Sequence, residues 1–367
     1  MKSSSGKHYV ALDHVRALAA FMVFHWHFVH AAGQRGYPIP LEYVPSIIPF
    51  GLFDEGHTGV ALFMTLSGYL FAKLLDGKEV RFGAFLNNRF WRLFPLLLFV
   101  FLIVGARKLL SGEPMMEYWK NLAVGFVLPT WPNGGWSVAV ELHFYILLPL
   151  LLRLASSSAA RLLMLLLAAI LLRTVIYAIL GEVQTAAYWS IVGRIDQFVL
   201  GMFFFQARDL VTGKHVRVMF GAALFLVFFW WFNRAGGFYQ MGGYPSVSPL
   251  WILLPSIEGL GYAALIAWYD TSFKHNTGKL SRAVAYYGTV SFSIYLLHFF
   301  FVNYAVRFVE RFFMHITNYY AAFAWSVLFF VLMVVPATLT FRFIEMPFLK
   351  LRRNYLCPPS GAPKQRD

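Results

Sequence analysis

The chain has 367 residues, of which 59% are apolar, 19% aromatic and 13% charged, with a mean hydropathy of +0.60 and a formal net charge of +14. Soluble domains run roughly 45–50% apolar and about 25% charged, so these values exclude a soluble globular enzyme, a disordered chain and a disulfide scaffold. Cys357, the single cysteine, excludes an intrachain disulfide and a CxxC metal site.

A transmembrane helix takes about 20 mainly apolar residues. Ten stretches read as spans, at about 10–31, 57–75, 92–110, 137–153, 159–180, 188–207, 216–233, 250–269, 286–306 and 319–343. The expected fold is therefore an all-α, polytopic membrane protein. The apolar stretch Asn121–Trp131 is too short to cross and reads as interfacial or re-entrant. Gly33–Pro49 and Gly236–Pro249 are rich in turn-forming residues and read as loops. No internal repeat is visible, and nothing resembles the paired halves of a transporter. The first span follows Lys2 and Lys7 and ends in Ala31-Ala32-Gly33, much as a signal peptide would. Asp13, Arg16, His25 and His27 interrupt it, however, so it reads as a retained helix.

Ten spans put both termini on one side. If that side is the cytoplasm, 20 of the 31 Lys and Arg residues fall in inner segments and 7 in outer ones, while Arg16, Arg173, Arg194 and Arg342 lie within spans. This asymmetry follows the positive-inside rule and predicts N-in, C-in. The positive charge is then mainly a topology signal, and nucleic acid is not expected as a partner.

Ionisable groups within spans are functional candidates, because exposing them to lipid is costly. On the first helix Arg16 and His27 are eleven residues apart. At about 100° and 1.5 Å per residue they share one face, roughly 16 Å apart. Asp13 lies one turn below Arg16 and can pair with it. His25 falls on the opposite face. A neutral imidazole can take a proton from a hydroxyl and return it to a leaving group, and an intramembrane Arg can hold an anionic group. These parts suit acyl transfer to an alcohol, and would also serve proton-coupled transport.

Ser67-Gly68-Tyr69 lies mid-span, where close helix packing through a small residue and a role in a site are both open. Arg89 and Arg92, three residues apart at the inner end of the third span, share a face and could grip a phosphate. Trp136-Ser137 opens the fourth span and Glu141 sits one turn in. Arg194, Asp196 and Glu258 read as partners of one another inside the bundle. His298 lies near the middle of the ninth span. Glu345-Met346-Pro347 closes the last span, with Glu345 placed to pair with a nearby Arg.

The soluble-enzyme signatures GxSxG, GxGxxG and HExxH are absent, and Asn276-Thr277-Gly278-Lys279 lacks the leading Gly of a P-loop. His8-x4-Asp13 has the spacing of a glycerolipid acyltransferase signature. It stands alone at the entry to a membrane helix and reads as a chance match.

Several longer motifs, in order along nearly the whole chain, give a resemblance to acyltransferase family 3. Ala11-Leu12-Asp13-His14-Val15-Arg16-Ala17-Leu18-Ala19-Ala20 followed by His27 resembles the family's opening LDGLRGxAA and its Arg-x10-His pattern. Leu62 to Leu70 resembles FFVLSGYL, and Asn88-Arg89-Phe90-Trp91-Arg92-Leu93-Phe94-Pro95 resembles RRxxRLYP. Trp136-Ser137 through Glu141, Phe144-Tyr145 and Leu148-Pro149 resembles WSLxxExxFYLLxP. Tyr295-Leu296-Leu297-His298 and Ile344-Glu345-Met346-Pro347 resemble the closing YLxH and IExP. The chain departs from the pattern at His14, where Gly is usual, and at Leu142-His143.

The resemblance implies a transmembrane acyltransferase domain over 1–350 with a short basic cytoplasmic tail, 351–367, and no fused esterase-like domain. It implies transfer of an acyl group, usually acetyl from acetyl-CoA, to a hydroxyl of a sugar in a polysaccharide, lipid-linked glycan or related glycoside at the bacterial cytoplasmic membrane. On this reading His27 is the base, with Arg16, Asp13 and Glu141 beside it in the catalytic set. Arg89 and Arg92 hold the phosphates of the acyl-CoA. Ser67, Tyr69, Trp136, Ser137 and His298 are the candidate substrate-binding residues, and no metal is expected. The expected partners are acyl-CoA, the glycan or lipid-linked acceptor and the bilayer, with polysaccharide-assembly proteins or a second copy of the chain as further possibilities. Two alternatives stand beside this one: a transporter or flippase of a glycosylated or acylated lipid, and a scaffold subunit of a polysaccharide-assembly complex.

Overall fold

The computed structural model describes residues 9–31, 43–239, 243–275 and 278–356. Cys357 and the tail beyond it, Lys2 and Lys7, most of the loop before Pro49, and Asn276-Thr277 lie outside the described residues. Every described regular element is helical apart from one isolated bridge, Val80 to Leu356.

Ten long helices occupy the ten apolar stretches. They are α1 (Val10–Ala31), α2 (Gly59–Leu75), α3 (Phe82–Leu110), α4 (Gly135–Ser157), α5 (Ala159–Leu180), α6 (Ile191–Gln206), α7 (His215–Arg234), α8 (Leu254–Ser272), α9 (Ser291–Phe312) and α10, which begins at Tyr319 and runs through a π-turn at Phe341–Glu345 to Leu349. Among the described residues seven helices are long and apolar enough to cross a membrane. The other three, α1, α6 and α8, are the inner ones. α6 packs against α2, α4, α5 and α8, while α1 packs against α2, α9 and α10. A helix screened from lipid by its neighbours need not be apolar all round, and these three carry much of the buried charge. In contrast, α5, α7 and α10 expose most of their apolar surface outward.

Three boundaries differ from the sequence expectation. The ninth apolar stretch is broken at Val290 into a helix Lys279–Thr289 and α9. Asn121–Trp131 comprises the last turn of a short helix, Met115–Val124, and the turns after it, with Val127 and Leu128 exposed. Pro347 does not end α10. It lies in the first turn of Met346–Leu349, where its missing N–H costs no hydrogen bond.

Buried ion pairs join the inner helices. Arg173 of α5 donates from both terminal nitrogens to the Asp196 carboxylate of α6, at 3.0 and 2.6 Å, and its Nε donates to the Ile252 carbonyl at 2.8 Å. Arg194 reaches Glu258 of α8 at 3.3 Å, and Gln197 donates to the same carboxylate at 2.8 Å. All five side chains are essentially inaccessible to solvent. Arg194 and Glu258 are thus partners of one another inside the bundle, whereas Asp196 pairs with Arg173 of α5 instead. His14 bonds the Tyr269 hydroxyl at 2.8 Å and the Ser281 carbonyl at 2.9 Å, tying α1 to α8 and to the helix Lys279–Thr289.

α2 crosses α6 at close range. A Cβ on Gly68 would lie 2.0 Å from the Phe198 carbonyl oxygen. The obstacle is backbone, which cannot swing aside as a side chain can, so Gly68→Ala is expected to separate the two helices and cost about 1–3 kcal/mol. Thermal unfolding in detergent measures this; a midpoint equal to that of the wild type would contradict the packing argument.

Candidate functional site: a polar cavity between α1, α2, α3, α4 and α9

The cavity has a volume of about 220 Å³. Its basic end is built from the start of α1, the first part of α3 and the chain after α10. There Arg16 pairs with Asp13 three residues before it, and Arg92 pairs with Glu345. Glu345 is buried and also accepts from the Ser293 hydroxyl of α9. Glu345 therefore does find its arginine, and the partner is one of the two proposed phosphate ligands. The Arg89 guanidinium lies 5.3 Å from the Phe71 ring centre and 5.4 Å from that of Phe85, and Arg92 lies 5.4 Å from that of Phe292. Aromatic faces hold a guanidinium without consuming its N–H donors. The Arg89 Nε has no hydrogen-bond partner although it is buried.

The cavity is also lined by Ser67, Ser137, Glu141, Tyr145 and Tyr295, and the Tyr145 hydroxyl lies within hydrogen-bonding reach of Arg89. Tyr145 donates to the Glu141 carboxylate one turn before it. Tyr295 and Ser137 share a hydrogen bond of 2.7 Å between hydroxyls, and Tyr295 also donates to the Gly134 carbonyl at 3.2 Å. Gly134 has φ +75°, and a Cβ there would lie 2.8 Å from the Tyr295 oxygen. The left-handed turn that starts α4 thus requires glycine twice over, for its backbone and for the room Tyr295 takes.

Seven of the candidates meet at this one cavity: Asp13, Arg16, Ser67, Arg89, Arg92, Ser137 and Glu141. His27 and His298 lie farther along α1 and α9. Their ring centres are 4.9 Å apart, and His298 lies 6.0 Å from the Tyr295 ring. Tyr295, one helical turn before His298, both lines the cavity and neighbours His298. The His298 Nδ1 donates to the Tyr295 carbonyl at 2.6 Å, which leaves Nε2 as a bare acceptor; that atom is buried and without a partner. His27 is half-buried and its ring makes no hydrogen bond among the described residues. His25, on the opposite face, is fully engaged, bonded to the Ser326 hydroxyl at 2.7 Å and the Tyr319 hydroxyl at 3.0 Å.

Tyr69 and Trp136 are not brought to the cavity. Tyr69 is buried and donates to Asp270 of α8 at 2.7 Å. Trp136 packs on Tyr188 and Trp189, with ring centres 5.1 and 4.6 Å away. Tyr145, Tyr295 and Arg352 are among the lining residues that sequence reasoning did not single out. Tyr145 could have been, as the i+4 neighbour of Glu141, and Tyr295 as the i−3 neighbour of His298. Arg352 carries no periodic signal, because it follows the last helix.

Among the described residues no three His, Cys, Asp or Glu side chains gather as a metal site would require. The fold and the cavity define a multi-pass α-helical membrane protein with a cluster of arginines in a cavity and a separate pair of histidines inside the bundle. Residues 9–342 match the profile of a known family, described as an acyltransferase domain. The chain belongs to acyltransferase family 3 and is a membrane acyltransferase. No curated protein and no solved structure matches it.

Proposed function

We propose that this protein is an O-acyltransferase that moves an acyl group, acetyl from acetyl-CoA in the first instance, to a sugar hydroxyl of a polysaccharide, lipid-linked glycan or related glycoside at the bacterial cytoplasmic membrane. The observation that carries this reading is the division of one helix between two chemistries. Arg16 of α1 lines a cavity rich in guanidinium groups, and His27 stands eleven residues along the same unbroken helix beside His298, about 16 Å away at 1.5 Å per residue. An extended phosphopantetheine arm can cover that distance, with its nucleotide left at the basic end.

With the N-terminus in the cytoplasm, acyl-CoA enters at the basic end and its thioester lies toward His27. The acceptor hydroxyl comes from the opposite face. His27 removes the hydroxyl proton as the oxygen attacks the thioester carbonyl. The carbon–sulfur bond breaks, and the proton passes to the departing thiolate. His298, its tautomer held by the Tyr295 carbonyl, offers Nε2 as an acceptor beside His27 and would steady the imidazolium.

The test is to incubate the purified, reconstituted protein with radiolabelled acetyl-CoA and candidate glycans. Label in the glycan supports the reading. Movement of the acceptor across vesicles without label transfer would favour a transporter instead. Arg89→Gln removes a charge at the basic end without touching the histidines. It is expected to raise the KM for acetyl-CoA by about tenfold or more, a loss of about 1.4 kcal/mol or more of a charge-assisted contact, with kcat little changed. A fall in kcat at unchanged KM would place Arg89 outside the donor site.

A further inference from the structure

The chain beyond α10 does not hang free over residues 350–356; it is strapped to the start of α3. The Asn88 side chain makes a two-way bond with the backbone of Arg353, donating to its carbonyl at 2.6 Å and accepting from its N–H at 2.8 Å. Arg81 donates from its backbone N–H to the Tyr355 carbonyl at 2.8 Å, and Tyr355 is buried with its ring edge-on to Phe85. The strap sets Arg352 into the wall of the cavity with Arg89 and Arg92. The Arg352 Nε is used locally, donating to the Leu349 carbonyl at 3.1 Å, which leaves both terminal nitrogens available.

Charge makes this arrangement unusual. Three guanidiniums converge where, among the described residues, Glu345 is the one carboxylate paired directly with any of them, through Arg92, while Glu141 stands behind the Tyr145 hydroxyl next to Arg89. Burial, and then the like charges of Arg89 and Arg92, hold Arg352 below its ordinary value. Gathering cations in a partly desolvated wall is unfavourable unless an anion joins them, and the buried Arg89 Nε still lacks a partner. Arg352 reaches the cluster from beyond the end of the last helix, on the chain that Asn88, in the first turns of α3, holds. A donor whose thioester points inward leaves at that position the end farthest from the thioester, which in coenzyme A is the phosphate on the adenosine ribose. That monoester carries about −1.5 to −2 charges at neutral pH and matches the planar fork of an arginine.

We propose that Arg352 binds the ribose phosphate of the donor, so that the enzyme selects a 3′-phosphorylated acyl carrier over its dephosphorylated form. This rests on the acyl-CoA reading above and adds a ligand contributed by the chain after the last helix.

The experiment compares acetyl-CoA with acetyl-(3′-dephospho)-CoA as donors for wild type, Arg352→Gln and Arg352→Lys. The wild type is expected to show a KM about tenfold lower for acetyl-CoA. Arg352→Gln should raise that KM about tenfold at nearly unchanged kcat and leave the KM for the dephosphorylated donor within twofold. Arg352→Lys should recover part of the loss. Equal losses with both donors would mean that Arg352 acts only on the general fold or field, and overturn the proposal. So would a wild type with no preference, a readout that does not depend on how the variants fold. If acetyl-CoA serves as donor and Arg352→Gln changes nothing, this inference alone fails. If the wild type transfers from neither donor, the acyl-CoA reading fails and takes the inference with it.

Discussion

His27→Ala is expected to lower acyl transfer by about 10²–10⁴-fold, the range general acid–base catalysis contributes, with the fold intact. The His27 ring makes no hydrogen bond among the described residues and is half-buried, so its removal deletes little that holds helices together. His25→Ala is the matched control with the opposite expectation. His25 is buried and bridges α1 to Ser326 and Tyr319 of α10, so its loss should lower the unfolding midpoint while the protein that remains folded keeps its kcat. The two variants are read together, transfer from labelled donor on one axis and thermal unfolding in detergent on the other. Equal transfer by wild type, His25→Ala and His27→Ala would remove His27 from the mechanism.

Asp196→Ala should produce the largest loss of stability, about 3–5 kcal/mol, because it leaves the Arg173 guanidinium buried without its counter-charge. Arg173 and Asp196 are both 0% exposed and meet through two parallel hydrogen bonds, with Ser256 donating to the same carboxylate. Asp196→Asn keeps the shape but loses the charge and should fall between wild type and Asp196→Ala. The double replacement Arg173→Met with Asp196→Leu removes both charges and should regain most of the loss, since a buried pair contributes little net stability against apolar residues of similar size. Unfolding midpoints of the four proteins decide the matter. A double variant as unstable as Asp196→Ala would show that the hydrogen bonds from Arg173 to backbone carbonyls, rather than charge neutralisation, hold this part of the bundle.

The helices were legible because lipid demands a long apolar run wherever a helix faces it, and α5, α7 and α10 are exposed in that way. The inner helices were legible for another reason. On α1 the residues Asp13, Arg16 and His27 repeat at a helical interval, so their shared face could be computed before any neighbour was known. The pairing of Glu345 with an arginine was also foreseeable, from one acidic residue at a basic membrane face. Which arginine it takes was not, because Arg92 and Glu345 lie far apart in sequence on different helices.

Tyr69 and Trp136 show the limit of motif reading. Both stand next to cavity residues in sequence, Ser67 and Ser137, yet a step of one or two positions turns a helical side chain by about 100° or 200°, and both end in the packing of other helices. Tyr295 shows the converse. It belongs to the same short motif as His298, but only the approach of α9 to the glycine turn at Gly134 brings it into the cavity wall.

The sequence by itself determined the all-helical membrane fold, the shared face of Arg16 and His27 and the family. Each depends on composition or on spacing within one segment. Only the tertiary structure decided that three arginines meet at one mouth, that Glu345 has already neutralised one of them, and that Arg352 is the third. Those facts depend on where separate helices come to rest against one another, and on two side-chain bonds from Asn88 that fold the end of the chain back onto α3.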